Sequence, residues 1–294
     1  MGFSLPGMVL ERVQSVARSL LKMLTKSLLQ EPAADHVEVD KSGVYLFWAA
    51  VGLAAFGLVT VVGQIFIRAP WGKFREDAKS RVWGPSVPCA VAWMVQECPS
   101  FFIPFSVLVG TEWLAGRPIN KFLLVLFTTH YAHRSLVYPA RLYVHTRYQK
   151  NQSMPLGISA LAVLFCAFNG MIQSWSAISF DYSSEISTLN IRSDYILMKL
   201  RVTNDRITPN PVHSAAYRIP EGLWFNYVSC ANYFGEICEW AGYAIACNTY
   251  VALSFAVFTL CFLTSRGVQV HRWYLQHFEE RYPSGRKAVI PFIL

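Results

Sequence analysis

This sequence predicts an all-α protein, a polytopic bundle of helices that cross a membrane several times. Three observations carry that expectation. Hydrophobic residues make up 53% of the 294-residue chain and charged residues only 15%, with a positive mean hydropathy of +0.31, a balance that water-soluble domains rarely show. Six apolar stretches approach or reach the length of a membrane span: 44–67, 87–109, 122–137, 156–172, 223–246 and 249–263. The cations behind the net charge of +8 gather in the connections, at 68–81, 141–150, 192–218 and 266–287, as loops on the cytosolic side do.

Residues 1–42 precede the first span and differ from the rest, so the chain reads as an N-terminal extension followed by a membrane domain over 43–294. Val9, Leu10, Val13, Val16, Ala17, Leu20, Leu21, Leu24 and Leu28 recur at helical spacing opposite Arg12, Arg18, Lys22 and Lys26, which predicts an amphipathic helix lying in the interface, with an organellar targeting peptide as the rival reading. A polar linker, 30–42, leads to the first span. Proline and glycine inside the second and fifth spans predict kinks, and the third and sixth spans are short, so their ends are loosely set.

Several function classes drop out. No soluble basic domain or aromatic platform accompanies the cations, so nucleic acid is not an expected partner. The cysteines, Cys89, Cys98, Cys166, Cys230, Cys238, Cys247 and Cys261, lie in or beside apolar runs without the spacing of a metal site, and read as reduced packing residues. Neither a G-x-G-x-x-G turn nor a P-loop is present, so any nucleotide would be held by side chains, with Arg134, Arg201, Arg218 and Arg266 as the candidate forks for phosphate oxygens.

The strongest pointer to chemistry is Glu97, a carboxyl in the apolar run 91–102. Such a residue persists in a membrane when it faces the protein interior, is neutral, or does chemistry. Trp93, Gln96 and Glu97 stand at i, i+3 and i+4 and share a helix face. Tyr131, Arg134 and Tyr138 form a second stripe, Asn232, Glu236, Glu239 and Tyr243 a third, and Asn190, Asp194 and Arg201 a fourth. Any one stripe is accounted for by hydrogen bonds between helices. Four of them with a buried carboxyl shift the weight to a lined cavity, in which a neutral acid and a tyrosine hydroxyl would donate hydrogen bonds to a ketone oxygen.

Longer motifs then carry a resemblance. Tyr217-Arg218-Ile219-Pro220-Glu221-Gly222, the run 227–244 from Tyr227-Val228-Ser229 through Glu239-Trp240 to Ala244, and Arg286-Lys287-Ala288-Val289-Ile290-Pro291-Phe292 close the chain. Upstream stand Trp93-Met94-Val95-Gln96-Glu97-Cys98-Pro99, His130-Tyr131-Ala132-His133-Arg134, Asn169-Gly170 and Asn190-Ile191-Arg192-Ser193-Asp194. From about residue 70 to the end, the chain resembles the steroid 5α-reductases, the 3-oxo-5α-steroid 4-dehydrogenases. The resemblance implies seven membrane helices and NADPH-dependent reduction of the C4–C5 double bond of a 3-oxo-Δ4-steroid. It also implies a multi-pass protein of the endoplasmic reticulum membrane with a cytosolic C-terminus and a steroid reached from the lipid. Glu97 and Tyr131 match the family's pair on the C3 ketone. Trp71 and Gly72 match an aromatic-glycine turn near the cofactor. Gln96, Arg134, Tyr138, Asn190, Asp194, Arg201, Tyr217, Arg218, Asn232, Glu236, Arg266 and Tyr274 match positions around NADPH or supporting it, and Trp93 shares their stripe.

The departures are specific. A cofactor-side histidine of the family is Val270 here, two basic positions are Gln152 and Leu161, and 204–210 is an added loop. Where the family has an apolar helix before the Asn190 motif, 176–189 is too polar and too short to span. Six crossings would place 192–218 opposite the other basic loops, so we expect this chain to lack most of one helix and to hold its cofactor less tightly. The rival readings are a membrane reductase of another conjugated substrate, a polyprenal or a trans-2-enoyl thioester, and a non-enzymatic sterol-binding or transport protein.

Overall fold

The computed structural model describes residues 41–68, 71, 74, 83–110, 112, 114–146, 153–180, 182 and 219–294. The predicted N-terminal amphipathic helix, the stretch 183–189 and the loop 204–210 lie outside the described residues, as does Gln152. The chain divides into a unit of Met1–Tyr45 and one of Leu46–Leu294. Of the first, only the opening turn of α1 is described; the second holds the rest of the helices and the site.

The architecture is helical throughout, as the composition predicts. The helices are α1 (Lys41–Phe66), α2 (Cys89–Val109), α3 (Pro118–Ala132), α4 (Tyr138–Thr146), α5 (Leu156–Ser179), α6 (Ala231–Cys247) and α7 (Tyr250–Phe278). Four described helices, α1, α2, α5 and the stretch Tyr250–Arg281, are long and apolar enough to cross a membrane. α2 runs unbroken through Pro99 and Pro104. Two short strands, β1 (Ser86–Pro88) and β2 (Ser153–Pro155), pair antiparallel and set the starts of α2 and α5 side by side.

The third span is interrupted. Between α3 and α4 the residues His133–Val137 form one turn of π-helix, and the Tyr138 amide donates to the His133 carbonyl five residues back. Pro139 comes next. A proline lacks the amide for an i→i−4 bond and its ring crowds the preceding turn; widening that turn by one residue relieves both, which is how π-bulges arise inside α-helices.

The fifth span starts later than its apolar run suggests. Leu223–Asn226 is a 3-10 turn introduced by Gly222 at φ +91° and Leu223 at φ +49°, left-handed backbone that a continuous helix from 223 would not allow. The helix proper begins at Ala231 and stops at Asn248, which is left-handed (φ +50°). Thr249 then caps α7 by accepting from the Ala252 amide (3.3 Å), so two residues suffice to link α6 to α7.

α5 extends beyond 172, and Ser176–Ser179 forms its last turn. Its carbonyl end is closed by α3: Asn120 Nδ2 donates to the carbonyls of Ala177 (2.8 Å) and Phe180 (2.6 Å), and Asn120 Oδ1 accepts from the Tyr182 amide (3.2 Å). One buried amide thus satisfies three backbone groups that a helix end leaves open.

Candidate active site

α2 and α5 are drawn together where the site lies. A Cβ on Gly170 would stand 3.1 Å from Ser100 Cα and 3.2 Å from the Pro99 carbonyl oxygen, so only glycine permits the approach. Ser100 Oγ donates to the Cys166 carbonyl across the same contact (2.7 Å). This seam sets Glu97, one turn from Ser100, against Cys166 and Asn169, one turn and one residue from Gly170 on α5.

Glu97 is 7% exposed. Its Oε1 lies 3.6 Å from Arg134 Nη2 and its Oε2 lies 3.9 Å from Cys166 Sγ. Arg134 stands in the π-turn, and its guanidinium covers the Trp93 ring at 4.6 Å and the Tyr138 ring at 5.5 Å. The two rings meet edge to face at 5.3 Å. The first two sequence stripes therefore face each other, and Gln96 is buried beside them with Oε1 lacking a partner among the described residues.

Tyr131 ends α3, buried against Phe127, His130 and Trp240. The phenol oxygen accepts a hydrogen bond from Asn169 Nδ2 (3.2 Å), with the Ser100 hydroxyl as its other polar neighbour, and a hydroxyl bonded in this way can turn its own hydrogen to a ligand. Glu236, on α6, lies within electrostatic reach of Arg134, while the carboxyl paired with the guanidinium is that of Glu97.

A second cation lies on α7. Arg266 is 3% exposed, its guanidinium sits 3.5 Å from the Trp71 ring centroid, and Nη2 donates to the Trp71 carbonyl (3.2 Å). Trp71 meets Trp93 edge to face at 6.0 Å, which joins this cation to the Arg134 cluster through two indoles. Nε and Nη1 of Arg266, and Nε of Arg134, meet no acceptor among the described residues. A buried guanidinium left half-bonded is costly, and an anion that meets it removes the cost.

The structure thus gathers Trp71, Trp93, Gln96, Glu97, Tyr131, Arg134, Tyr138, Glu236 and Arg266. Tyr274 lies in an apolar core with Phe74, Val270, Phe278 and Tyr282, stacked on Tyr282 at 5.3 Å and 11°, and this core borders Arg266 through Phe74, whose ring lies 5.7 Å from the guanidinium. Val270 is buried in the same core, where an imidazole would lose its solvation. Asn232 is exposed on the first turn of α6. Gly72, Asn190, Asp194, Arg201, Tyr217 and Arg218 lie outside the described residues.

Spacing did not single out Asn169 or Gln173 as supports of Tyr131, because two amides at i and i+4 on an apolar helix look like any interhelical pair. Nor did it pair His130 with Glu239, whose 2.8 Å contact ties α3 to α6.

A family model described as 3-oxo-5-alpha-steroid 4-dehydrogenase matches residues 152–294. The 3-oxo-5-alpha-steroid 4-dehydrogenase 1 of Macaca fascicularis is 40% identical over 226 residues, covering 70% of this chain and 80% of the relative. The Bos taurus type 1 protein is 35% identical over 83% of this chain and 93% of its own length, and the Rattus norvegicus type 2 protein is 36% identical over 76% and 88%. The chain belongs to the 3-oxo-5-alpha-steroid 4-dehydrogenase family. Within this family of oxidoreductases, the model's match takes in Asn169, Gln173, Glu236 and Arg266, and the Glu97, Tyr131 and Arg134 cluster stands N-terminal to it.

Proposed function

We propose that this chain reduces the C4–C5 double bond of a 3-oxo-Δ4-steroid, with NADPH as the cofactor and Glu97 and Tyr131 on the C3 ketone. The observation that carries the reading is the meeting of two potential donors in one buried place: a phenol whose oxygen is already served by Asn169, and a carboxyl backed by Arg134.

The residues present suit a dinucleotide. The open nitrogens of Arg266 and Arg134 fit phosphate oxygens, which a guanidinium fork binds in pairs, and Trp71 and Trp93 offer aromatic faces or edges for its rings. Gln96 offers an amide to a carboxamide. Gly72, Asn190, Asp194, Arg201, Tyr217 and Arg218 join this set through the family resemblance. When bound, reduced nicotinamide supplies the hydride for C5.

The protein's part is electrostatic. Hydrogen bonds from Tyr131 and Glu97 draw electron density from the conjugated ketone, which leaves C5 electron-poor. As hydride arrives, charge builds on the C3 oxygen and both donors tighten on the enolate. A proton from solvent then adds at C4, the carbonyl re-forms, and the product carries two more hydrogens than the substrate. We place a proton on Glu97, which is 7% exposed, where it is a donor. Each such donor is worth about 3–4 kcal/mol of barrier. A ketone oxygen flanked by a neutral acid and a phenol favours a cyclic enone over a thioester, which brings a large anionic carrier.

The test is product formation by membranes carrying the protein, given NADPH and a panel of steroid enones such as testosterone and progesterone. Mass spectrometry should show a product two hydrogens heavier, formed at the expense of NADPH. A protein that binds these steroids without reducing any of them refutes the assignment.

A further inference from the structure

We infer that Asn169 and Gln173 of α5 form a directional relay, anchored on the Val251 carbonyl of α7, which turns the hydroxyl hydrogen of Tyr131 toward the substrate. The inference rests on the reading of Tyr131 as a ketone donor.

A tyrosine hydroxyl both donates and accepts, and its usefulness as an electrophile depends on which it does. An amide beside it decides the matter, because its two ends are opposite in kind. Gln173 Nε2 lies 3.4 Å from the Val251 carbonyl oxygen, an atom that only accepts and that also takes a bond from Ser254 Oγ (2.8 Å). Turning the Gln173 amide over would set oxygen against oxygen, so the carbonyl holds Nε2 in place. The same Nε2 lies 3.4 Å from Asn169 Oδ1, which commits that end of Asn169 to accepting. Asn169 Nδ2 is thereby left facing Tyr131, where it donates to the phenol oxygen (3.2 Å). The orientation of Tyr131 is thus set by a backbone carbonyl two side chains away.

Neither amide touches substrate. Asn169 is 0% exposed and Gln173 1%, so both are positioning residues. Gly170, which admits α2 to α5, is the next residue after Asn169, so the helix contact that brings Glu97 near also fixes the relay. Polar side chains in an apolar helix pair are often structural ties, but a tie has no required direction, and this one does.

Direction supplies the test. Gln173→Glu keeps size and shape and removes the two-hydrogen amide donor; ionised, or protonated with its single hydrogen on the Val251 carbonyl, the new carboxyl presents an acceptor to Asn169. The Asn169 amide then turns over, its oxygen faces Tyr131, and the hydroxyl hydrogen is spent inside the protein. Purified full-length protein in nanodiscs should show kcat lower by about ten- to a hundredfold, a fraction of the loss on deleting an oxyanion donor, with the steroid KM within about threefold. Asn169→Asp should behave alike. The decisive readout is the double-mutant cycle with Tyr131→Phe, which has no hydroxyl to turn: there Gln173→Glu should cost no further activity. Equal losses in both backgrounds, or unchanged kcat in Gln173→Glu alone, overturn the relay. If Gln173→Glu fails to fold, Asn169→Asp carries the same cycle. Full activity in Tyr131→Phe itself would instead remove the ketone-donor reading, which keeps the two failures distinct.

Discussion

Arg266 shows how much one side chain states about an absent partner. Its guanidinium is buried, lies on the Trp71 ring at 3.5 Å, donates through Nη2 to a carbonyl at 3.2 Å and has the Tyr233 phenol beside it, while Nε and Nη1 meet no acceptor among the described residues. Arg266→Ala should therefore raise the KM for NADPH by tenfold or more, since bonds to charged groups contribute about 1.5–3 kcal/mol, with a smaller effect on the steroid KM. Arg266→Lys should recover part of the loss, because an ammonium keeps the charge and loses the fork. Steady-state kinetics with each substrate varied in turn checks both. Which residues meet was largely legible at this scale. Trp93, Gln96 and Glu97 at i, i+3 and i+4, and Tyr131, Arg134 and Tyr138 opposite, are face arguments that need only helical geometry. Tyr274 shows the limit: its stacking in the Phe74, Val270 and Phe278 core depends on residues far apart in sequence, which periodicity does not rank.

At the scale of elements, two features place the site: the α2–α5 seam and the π-turn between α3 and α4. Gly170→Ala would force a methyl to within 3.1 Å of Ser100 Cα, and overpacking of this kind costs about 1–3 kcal/mol. It should lower the thermal midpoint in detergent and reduce activity together, since moving α5 shifts Asn169 from Tyr131. Asn120→Leu should destabilise by a similar amount, about 1–3 kcal/mol, by leaving two carbonyls and an amide at the end of α5 unmet, while the steroid and NADPH KM values of the folded fraction stay unchanged. Helix type was legible because apolar length dictates it, whereas six spans were expected and four described helices are long and apolar enough to cross. The π-turn was not, because an i→i−5 bond has no composition of its own, although Pro139, directly after the stripe's Tyr138, was the available signal. The late start of α6 was hidden likewise, since Leu223, Trp224 and Phe225 are apolar and only the backbone at Gly222 and Leu223 shows that they turn.

For the whole molecule, the four long apolar helices among the described residues describe a multi-pass membrane protein, and we propose that its C-terminus faces the cytosol. A C-terminal tag should therefore be cut by protease added to intact microsomes; protection of the tag would reverse the orientation. On the proposed reading, the bundle joins an apolar interior where Glu97 and Tyr131 would meet a ketone to the buried guanidinium of Arg266, which would meet phosphates. Neither half reduces anything without the other. The account is tested most directly by the rate of steroid enone reduction in wild-type and Tyr131→Phe protein at saturating NADPH, with folding matched by thermal midpoint. It predicts a kcat lower by about a hundred- to a thousandfold with both KM values little changed. Equal rates in the two proteins would contradict it.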